Sequence, residues 1–192
     1  IIDQKRINFI LKKIKEKGVK LKSFINASGI AAYSNSLTKV SSEDDSENIK
    51  DSFINQVVIQ WESKVLEFEK KLPEISFSIL RIGLVLSNSG GVFKISKNLS
   101  KIFLLSALGR GNQWQSWIHV NDVASIFIRC AERNHRGVIN LVSPNPITQN
   151  ELLSKIALHN RSKILFPKIP KFIVKVLFGE MSELVLSSQK VI

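Results

Sequence analysis

Gln113, Trp117 and His119 lie in one stretch, Gly111-Asn112-Gln113-Trp114-Gln115-Ser116-Trp117-Ile118-His119-Val120-Asn121-Asp122-Val123. The run from Trp117 to Val120 reads as a short strand, which puts Trp117 and His119 on one face because side chains alternate. An imidazole there is either a proton donor working near neutral pH or a satisfied structural histidine. Gln113 offers an amide to a polar ligand. Asn121 suits a helix N-cap, and Asp122 places a charge where the helix dipole favours it. Val123, Ile126, Phe127, Cys130 and Ala131 then form the apolar stripe of a helix on a core. Gly137 can end that helix, and Val138 to Val142 reads as the next strand. Polar groups thus gather at the carboxyl end of a strand, where open α/β sheets bind ligands.

Other chemistry-bearing residues sit at comparable places. Ser28 follows the short strand Leu21 to Ala27 and is an active-site hydroxyl or a turn former. Tyr33 either puts a phenol in the cleft or packs on the core with one polar partner. Arg81 lies near the end of the strongest strand, Ile75 to Leu86. It can grip a phosphate or carboxylate bidentately or pair with an acidic helix residue. Ser143, Pro144 and Asn145 follow the strand at 138–142 and read as lining the same cleft. The three histidines are far apart and the cysteine is single, so no metal-ligand spacing exists. Neither a Gly-x-Ser-x-Gly elbow nor a phosphate-binding Gly-x4-Gly-Lys occurs. Gly109-Arg110-Gly111 has no third glycine and opens no helix.

The elements that must position these residues follow from periodicity. Residues about 3–17 read as an amphipathic helix, and 28–48 as a long polar loop. A helix over about 51–72 presents Phe53, Val57, Trp61, Val65 and Phe68. Another helix covers 92–105. Thr148 and Glu151 form a capping box for a helix reaching His159. A short strand over Ile164 to Phe166 precedes a helix opened by Pro170, and a last helix spans about 179–187. Strands alternating with long helices mean parallel pairing. The fold class is α/β, with a small, mostly helical C-terminal part from about residue 143.

The net charge is +12. It reads as a Lys-rich solvated surface and not a nucleic-acid footprint, since no aromatic is interleaved with a basic cluster. No apolar run approaches the roughly 20 residues of a membrane span, so no membrane partner is expected. The lone Cys130 fits a reducing, cytoplasmic setting.

Several stretches resemble the extended short-chain dehydrogenase/reductase superfamily, and within it the epimerase family with a C-terminal domain of unknown function. They are Phe24 to Ser28 with Tyr33, Gln60-Trp61-Glu62, Leu80 to Leu86 with Gly90-Gly91, Gly109 to Gln113, Ser116 to Asp122, Asn140 to Pro146, and Gly179 to Lys190. The resemblance implies the C-terminal portion of a Rossmann-like parallel sheet over 1–142 with a small, mostly helical C-terminal domain over 143–192, an NAD or NADP cofactor and a small-molecule substrate of nucleotide-sugar type. It places Ser28 at the superfamily's active-site hydroxyl and Gly83, Leu84 and Val85 against the nicotinamide, with Ser143 near the cofactor. Arg81, Gln113, Trp117, Pro144 and Asn145 fall on the substrate side. It leaves Ser28, Tyr33 and His119 as the catalytic candidates. Aligning Glu62 with the glutamate that follows the superfamily's Tyr and Lys puts Ile54 and Val58 where that pair stands. A non-catalytic binding or regulatory protein, with a link to cell division, is therefore the alternative. The family's glycine-rich phosphate turn would lie upstream of Ile1. Residues 1–192 alone are accordingly expected to associate and to bind no NAD(P), which sedimentation and cofactor titration check. Ser28, Tyr33, Gly83, Trp117 and Ser143 are expected around one concavity.

Overall fold

In the computed structural model, which describes residues 9, 12–13, 16–18, 20–45, 52–165 and 167–192, the chain begins with β1 (Ser23–Gly29) and a 3-10 turn (Ile30–Ala32). It continues as β2 (Val40–Ser41), α1 (Phe53–Lys71), β3 (Ser76–Ile82), β4 (Leu84–Leu86), α2 (Gly91–Lys101), β5 (Trp114–Gln115) and β6 (Trp117–His119). Then come α3 (Val120–Arg133), β7 (Gly137–Leu141), β8 (Ile147–Thr148), α4 (Gln149–His159), α5 (Lys171–Phe178), a second 3-10 turn (Gly179–Ser182), α6 (Glu183–Leu186) and β9 (Lys190–Val191). The helix expected over 3–17 falls largely outside the described residues, as does Phe166.

β1, β3 and β7 form a parallel sheet in the order β1-β3-β7, with Ser28, Arg81 and Asn140 side by side in register. The α/β class and the parallel pairing of the first two strands are as the alternation requires. The single strand expected over 75–86 is two strands. The Gly83 N–H donates to Leu141 O at 3.1 Å, and the next N–H, of Leu84, donates to Ser116 O at 2.8 Å. The chain thus leaves β7 and joins β6, forming a separate parallel pair, β4-β6. A Cβ at position 83 would lie 2.2 Å from Ser116 O, closer than any side chain tolerates, so only glycine permits the crossing.

Alternation divides the larger sheet between two helices. Phe24, Phe77, Ile79 and Val138 pack with Val65 and Phe68 of α1. On the opposite face Ile25, Leu80, Ile82, Ile139 and Leu141 pack with Val123, Ile126, Phe127 and Cys130 of α3. Covering both faces is what a parallel sheet requires, and each large apolar side chain so buried contributes about 1.5–3 kcal/mol. A third cluster joins Leu84, Leu86 and α2 to Leu152, Leu153 and Ile156 of α4.

Several boundaries differ from expectation for physical reasons. The buried residues of α1 are Asn55, Val58, Glu62, Val65 and Phe68, while Phe53 is exposed. The helix is turned because Asn55 Nδ2 donates to Ala31 O and Ala32 O, at 2.9 and 3.0 Å, and Glu62 is drawn inward by an ion pair. α3 starts at Val120 with His119, not Asn121, at its N-cap. It ends at Asn134, which is left-handed with φ 48°, and Gly137 opens β7 instead of closing the helix. Ala131 is exposed. The helix expected over 92–105 ends at Lys101. Ile164 and Leu165 are not a strand. The capping box is present, with Thr148 and Glu151 bonded reciprocally.

After residue 143 the chain is mostly helical, as expected, but two short strands tie it back. β8 pairs antiparallel with β5, and β9 pairs parallel with β2. The long polar loop is thereby pinned: Ser36 N–H donates to Ser188 O (2.8 Å) and Ser188 N–H to Asn35 Oδ1 (2.9 Å). Among the described residues no helix is long and apolar enough to cross a membrane.

Gly83→Ala should lower unfolding stability by about 1–3 kcal/mol, the usual cost of overpacking. Gly29→Ala is the control, since its added Cβ would meet its nearest atoms at an ordinary 3.9 Å. Urea denaturation of both variants reads the difference, and equal losses would remove the close-approach argument.

Candidate functional site

Ser28, Arg81 and Asn140 form a polar row across β1, β3 and β7 at the carboxyl ends of the strands, on the face that α1 covers. Polar groups buried there need partners, and α1 supplies Glu62. The Glu62 carboxylate accepts from Arg81 Nε at 3.0 Å and from Arg81 Nη2 at 2.7 Å, a bidentate geometry. The two side chains are 12% and 7% exposed. Ser28 Oγ donates to the same carboxylate at 2.5 Å. Arg81 also stacks on the Tyr33 ring, 4.7 Å from its centroid, and the Tyr33 hydroxyl donates to Asn140 Oδ1 at 2.8 Å. Asn140 Nδ2 in turn donates to Ile192 O at 3.1 Å. Burial opposes the charge of Arg81, but the hydrogen bonds and field of Glu62 outweigh it and hold its pKa above the ordinary value. Burial also raises the Tyr33 pKa, with Arg81 opposing, so the phenol stays neutral.

Beside this network a cavity of about 390 Å³ opens where the strand switches partners. Its walls include Gly29 at the end of β1, Ile82, Gly83 and Leu84 at the switch, and Ile54 from α1. Trp114, Gln115 and Ser116 contribute from the stretch before β6, and Gln149, Glu183, Ser187 and Gln189 from the C-terminal part.

A family model described as a domain of unknown function (DUF1731) matches residues 169–192. The chloroplastic epimerase family protein SDR39U1 homolog of Arabidopsis thaliana is 32% identical over 169 residues, covering 88% of this chain and 47% of that protein. An epimerase family protein of Staphylococcus haemolyticus is 34% identical over 143 residues, covering 73% of this chain and 46% of its own. The crystal structure of the human epimerase family protein SDR39U1 (isoform 2) with NADPH superposes with a TM-score of 0.80 at 29% identity, over 89% of this chain and 57% of that one. This chain is a homologue of the epimerase family proteins. It spans about half the length of the curated relatives it matches. A nucleoside-diphosphate sugar epimerase of Corynebacterium glutamicum shares the fold, with a TM-score of 0.69 at 23% identity over 95% of this chain and 34% of that one.

The residues singled out in the sequence fall into separate places. Gly83 and Leu84 line the cavity. Ser28, Tyr33 and Arg81 belong to the buried network, and the Ser28 hydroxyl is committed to Glu62. Val85 points to the opposite face, among Ile118 and Leu141. His119 is exposed, and its Nδ1 accepts the Asn121 N–H at 3.2 Å, which makes it a cap. Gln113 is buried and donates to Leu108 O and Val185 O, at 3.0 and 3.1 Å, so it braces two loops. Trp117, Ser143 and Asn145 bond one another: Ser143 N–H donates to Trp117 O (2.6 Å) and Trp117 Nε1 to Asn145 O (3.1 Å). They and Pro144 are not among the cavity's lining residues. Of the five residues expected around one concavity, only Gly83 lines this one. Trp117 and Ser143 are neighbours of Gly83, through the Leu84–Trp117 pairing and the Ser143 N–H to Trp117 O bond, without lining the cavity, and Ser28 and Tyr33 are taken up by the buried network. Periodicity carries no sign of the strand break at Gly83.

The sequence reading did not anticipate the inward position of Glu62, or Gln149, Glu183, Ser187 and Gln189. Asn55 and Glu62, seven apart on an otherwise apolar helix face, are the signal that would have exposed the first. Among the described residues no cluster of His, Cys, Asp and Glu could hold a metal.

Removing either side of the buried ion pair, by Glu62→Ala or Arg81→Ala, should cost about 3–5 kcal/mol. The double variant should cost less than the sum of the two, read from denaturant midpoints. Tyr33 is the chain's only tyrosine, so tyrosinate absorbance reports it alone. Because its folded pKa exceeds the unfolded value near 10, its contribution to stability is full below about pH 10 and lost as pH rises through the folded value. Tyrosinate forming at or below the ordinary value would contradict the burial of the phenol.

Proposed function

We propose that this chain is part of an NAD(P)-linked protein of the epimerase/dehydratase type acting on a nucleotide-sugar. The observation that carries this reading is the cavity at the Gly83 switch. Its backbone walls at Gly29 and Gly83 and its apolar walls at Ile54, Ile82 and Leu84 suit a flat nicotinamide ring beside a sugar. The human relative was crystallised with NADPH, and structures of this fold include one in complex with UDP-glucose and NAD. When bound, the nicotinamide supplies hydride transfer. This chain's residues orient the ring against Gly83 and Leu84, hold the substrate with amides such as Gln115, Gln149 and Gln189, and exclude water with the apolar walls. Residues 1–142 form the cofactor side in this reading, and 143–192 the substrate side. The Gly109-Arg110-Gly111 loop packs on Ile169 and Asn150 and opens no helix, so it is unsuited to the pyrophosphate. A free, buried Cys130 agrees with a reducing compartment such as the cytoplasm.

A second reading, a binding or regulatory protein without turnover, is favoured by one observation. Ile54 lines the cavity and Val58 is buried beneath it on the same helix. Neither can exchange a proton where the superfamily keeps its Tyr and Lys.

Titration of the full-length protein should enhance and blue-shift NADPH or NADH fluorescence. Absence of any change with both cofactors would end both nicotinamide readings. Interconversion within a panel of nucleotide-sugars favours the enzyme, whereas cofactor binding with no interconversion favours the binding protein.

A further inference from the structure

The cavity at Gly83 is walled by apolar, amide and hydroxyl side chains, and Glu183 is the only titratable residue among the described residues that line it. Glu183 Oε2 is buried yet has no hydrogen-bond partner. An unpaired buried acceptor costs stability and is rare in folded proteins. Glu183 does stand in the first turn of α6, where a carboxylate is favoured. That helix has only four residues, however, and none of its N–H groups donates to Oε2. The charged groups that share a wall with Glu183 are Lys171 and Lys175 of α5, in a smaller adjoining cavity of about 230 Å³. Neither supplies a hydrogen bond to Oε2. Across the main cavity stands Ile54. Among the described residues Glu183 is thus the one side chain of the cavity wall able to take a proton, and its Oε2 is bonded to no group of the protein.

We propose that Glu183 accepts the hydroxyl proton of a sugar-class alcohol bound in this cavity. The inference rests on the nicotinamide-linked reading above. In the step, the carbinol C–H bond breaks and its hydrogen leaves with the electron pair for an oxidised nicotinamide. The O–H bond breaks and its proton passes to the Glu183 carboxylate, and the carbon becomes a carbonyl. Returning a hydride to the carbon and the proton to the oxygen reverses the step. Glu183 so replaces, from the C-terminal part of the chain, the proton-transferring group that α1 lacks.

The test uses the full-length protein and Glu183→Gln, which keeps shape and removes the proton-accepting charge. Both should melt alike and bind NADPH within about twofold of each other. With carboxylate-13C glutamate, the resonance missing in the Gln variant identifies Glu183, and adding UDP-glucose or dTDP-glucose should shift it. Hydride transfer in a single turnover should fall about 100-fold in Glu183→Gln, the lower end for loss of a general base, and the acid limb of its pH profile should disappear. Glu183→Asp should restore that limb. An unmoved resonance despite sugar-nucleotide binding, or a Gln variant with normal turnover, overturns the assignment while leaving the nicotinamide reading intact. NADPH binding with no binding by either sugar nucleotide also overturns it. Failure of the unsubstituted protein to bind NADPH or NADH overturns the nicotinamide reading, and this assignment with it.

Discussion

The close approach of Gly83 to Ser116 O is the constraint on which the rest depends. A peptide plane can serve β7 on one side and β6 on the next residue only if no side chain stands between the backbones. Because the added Cβ would come within 2.2 Å of a carbonyl oxygen, glycine is required. The switch opens the sheet at its carboxyl edge, and the opening is the cavity. α2 and α4 then cover the diverging pair through the Leu84 and Leu86 cluster.

The Glu62–Arg81 pair supports this opening from the side. Arg81 is held by the two bonds it donates to one carboxylate, and its guanidinium lies over the Tyr33 ring. Tyr33 is bonded to Asn140, and Asn140 reaches the backbone of Ile192. The network therefore joins β1, β3, β7, the long loop and the chain's last described residue. A buried ion pair adds little net stability over an apolar replacement. Its evident effect here is positional, since it engages Ser28 and Tyr33, neither of which lines the cavity, and leaves Gly83 in the cavity's wall.

The cavity is consequently poor in acid–base groups. α1 presents Ile54 there, and Ser28 is already bonded. The C-terminal part supplies what polarity the cavity has, through Gln149, Glu183, Ser187 and Gln189. This gives the segment matched as a domain of unknown function a physical role: β9 is tied to β2, and the preceding turn of helix forms one wall of the site.

The amino-acid sequence by itself determined the local and periodic features. The alternation of apolar strands with long helices required parallel α/β pairing, the Thr148–Glu151 spacing set a helix start, and the stripe Val123, Ile126, Phe127 and Cys130 chose the buried face of α3. Its pattern of short motifs also carried the family resemblance. Tertiary structure alone decided the rest. Periodicity could not reveal the break at Gly83, because residues on both sides of it are apolar and β-forming. It placed Val65 and Phe68 of α1 on the buried face but missed Asn55 and Glu62 there, because the partners that bury those two are distant in sequence: the carbonyls of Ala31 and Ala32, and Arg81. It also grouped Trp117 and Ser143 with Gly83 as one cavity wall because all follow strand ends; the Leu84–Trp117 pairing and the Ser143 N–H to Trp117 O bond do make them neighbours, but only Gly83 lines the cavity. Which polar group stays unpaired depends on every neighbour it could have met, so only the packed chain could single out Glu183.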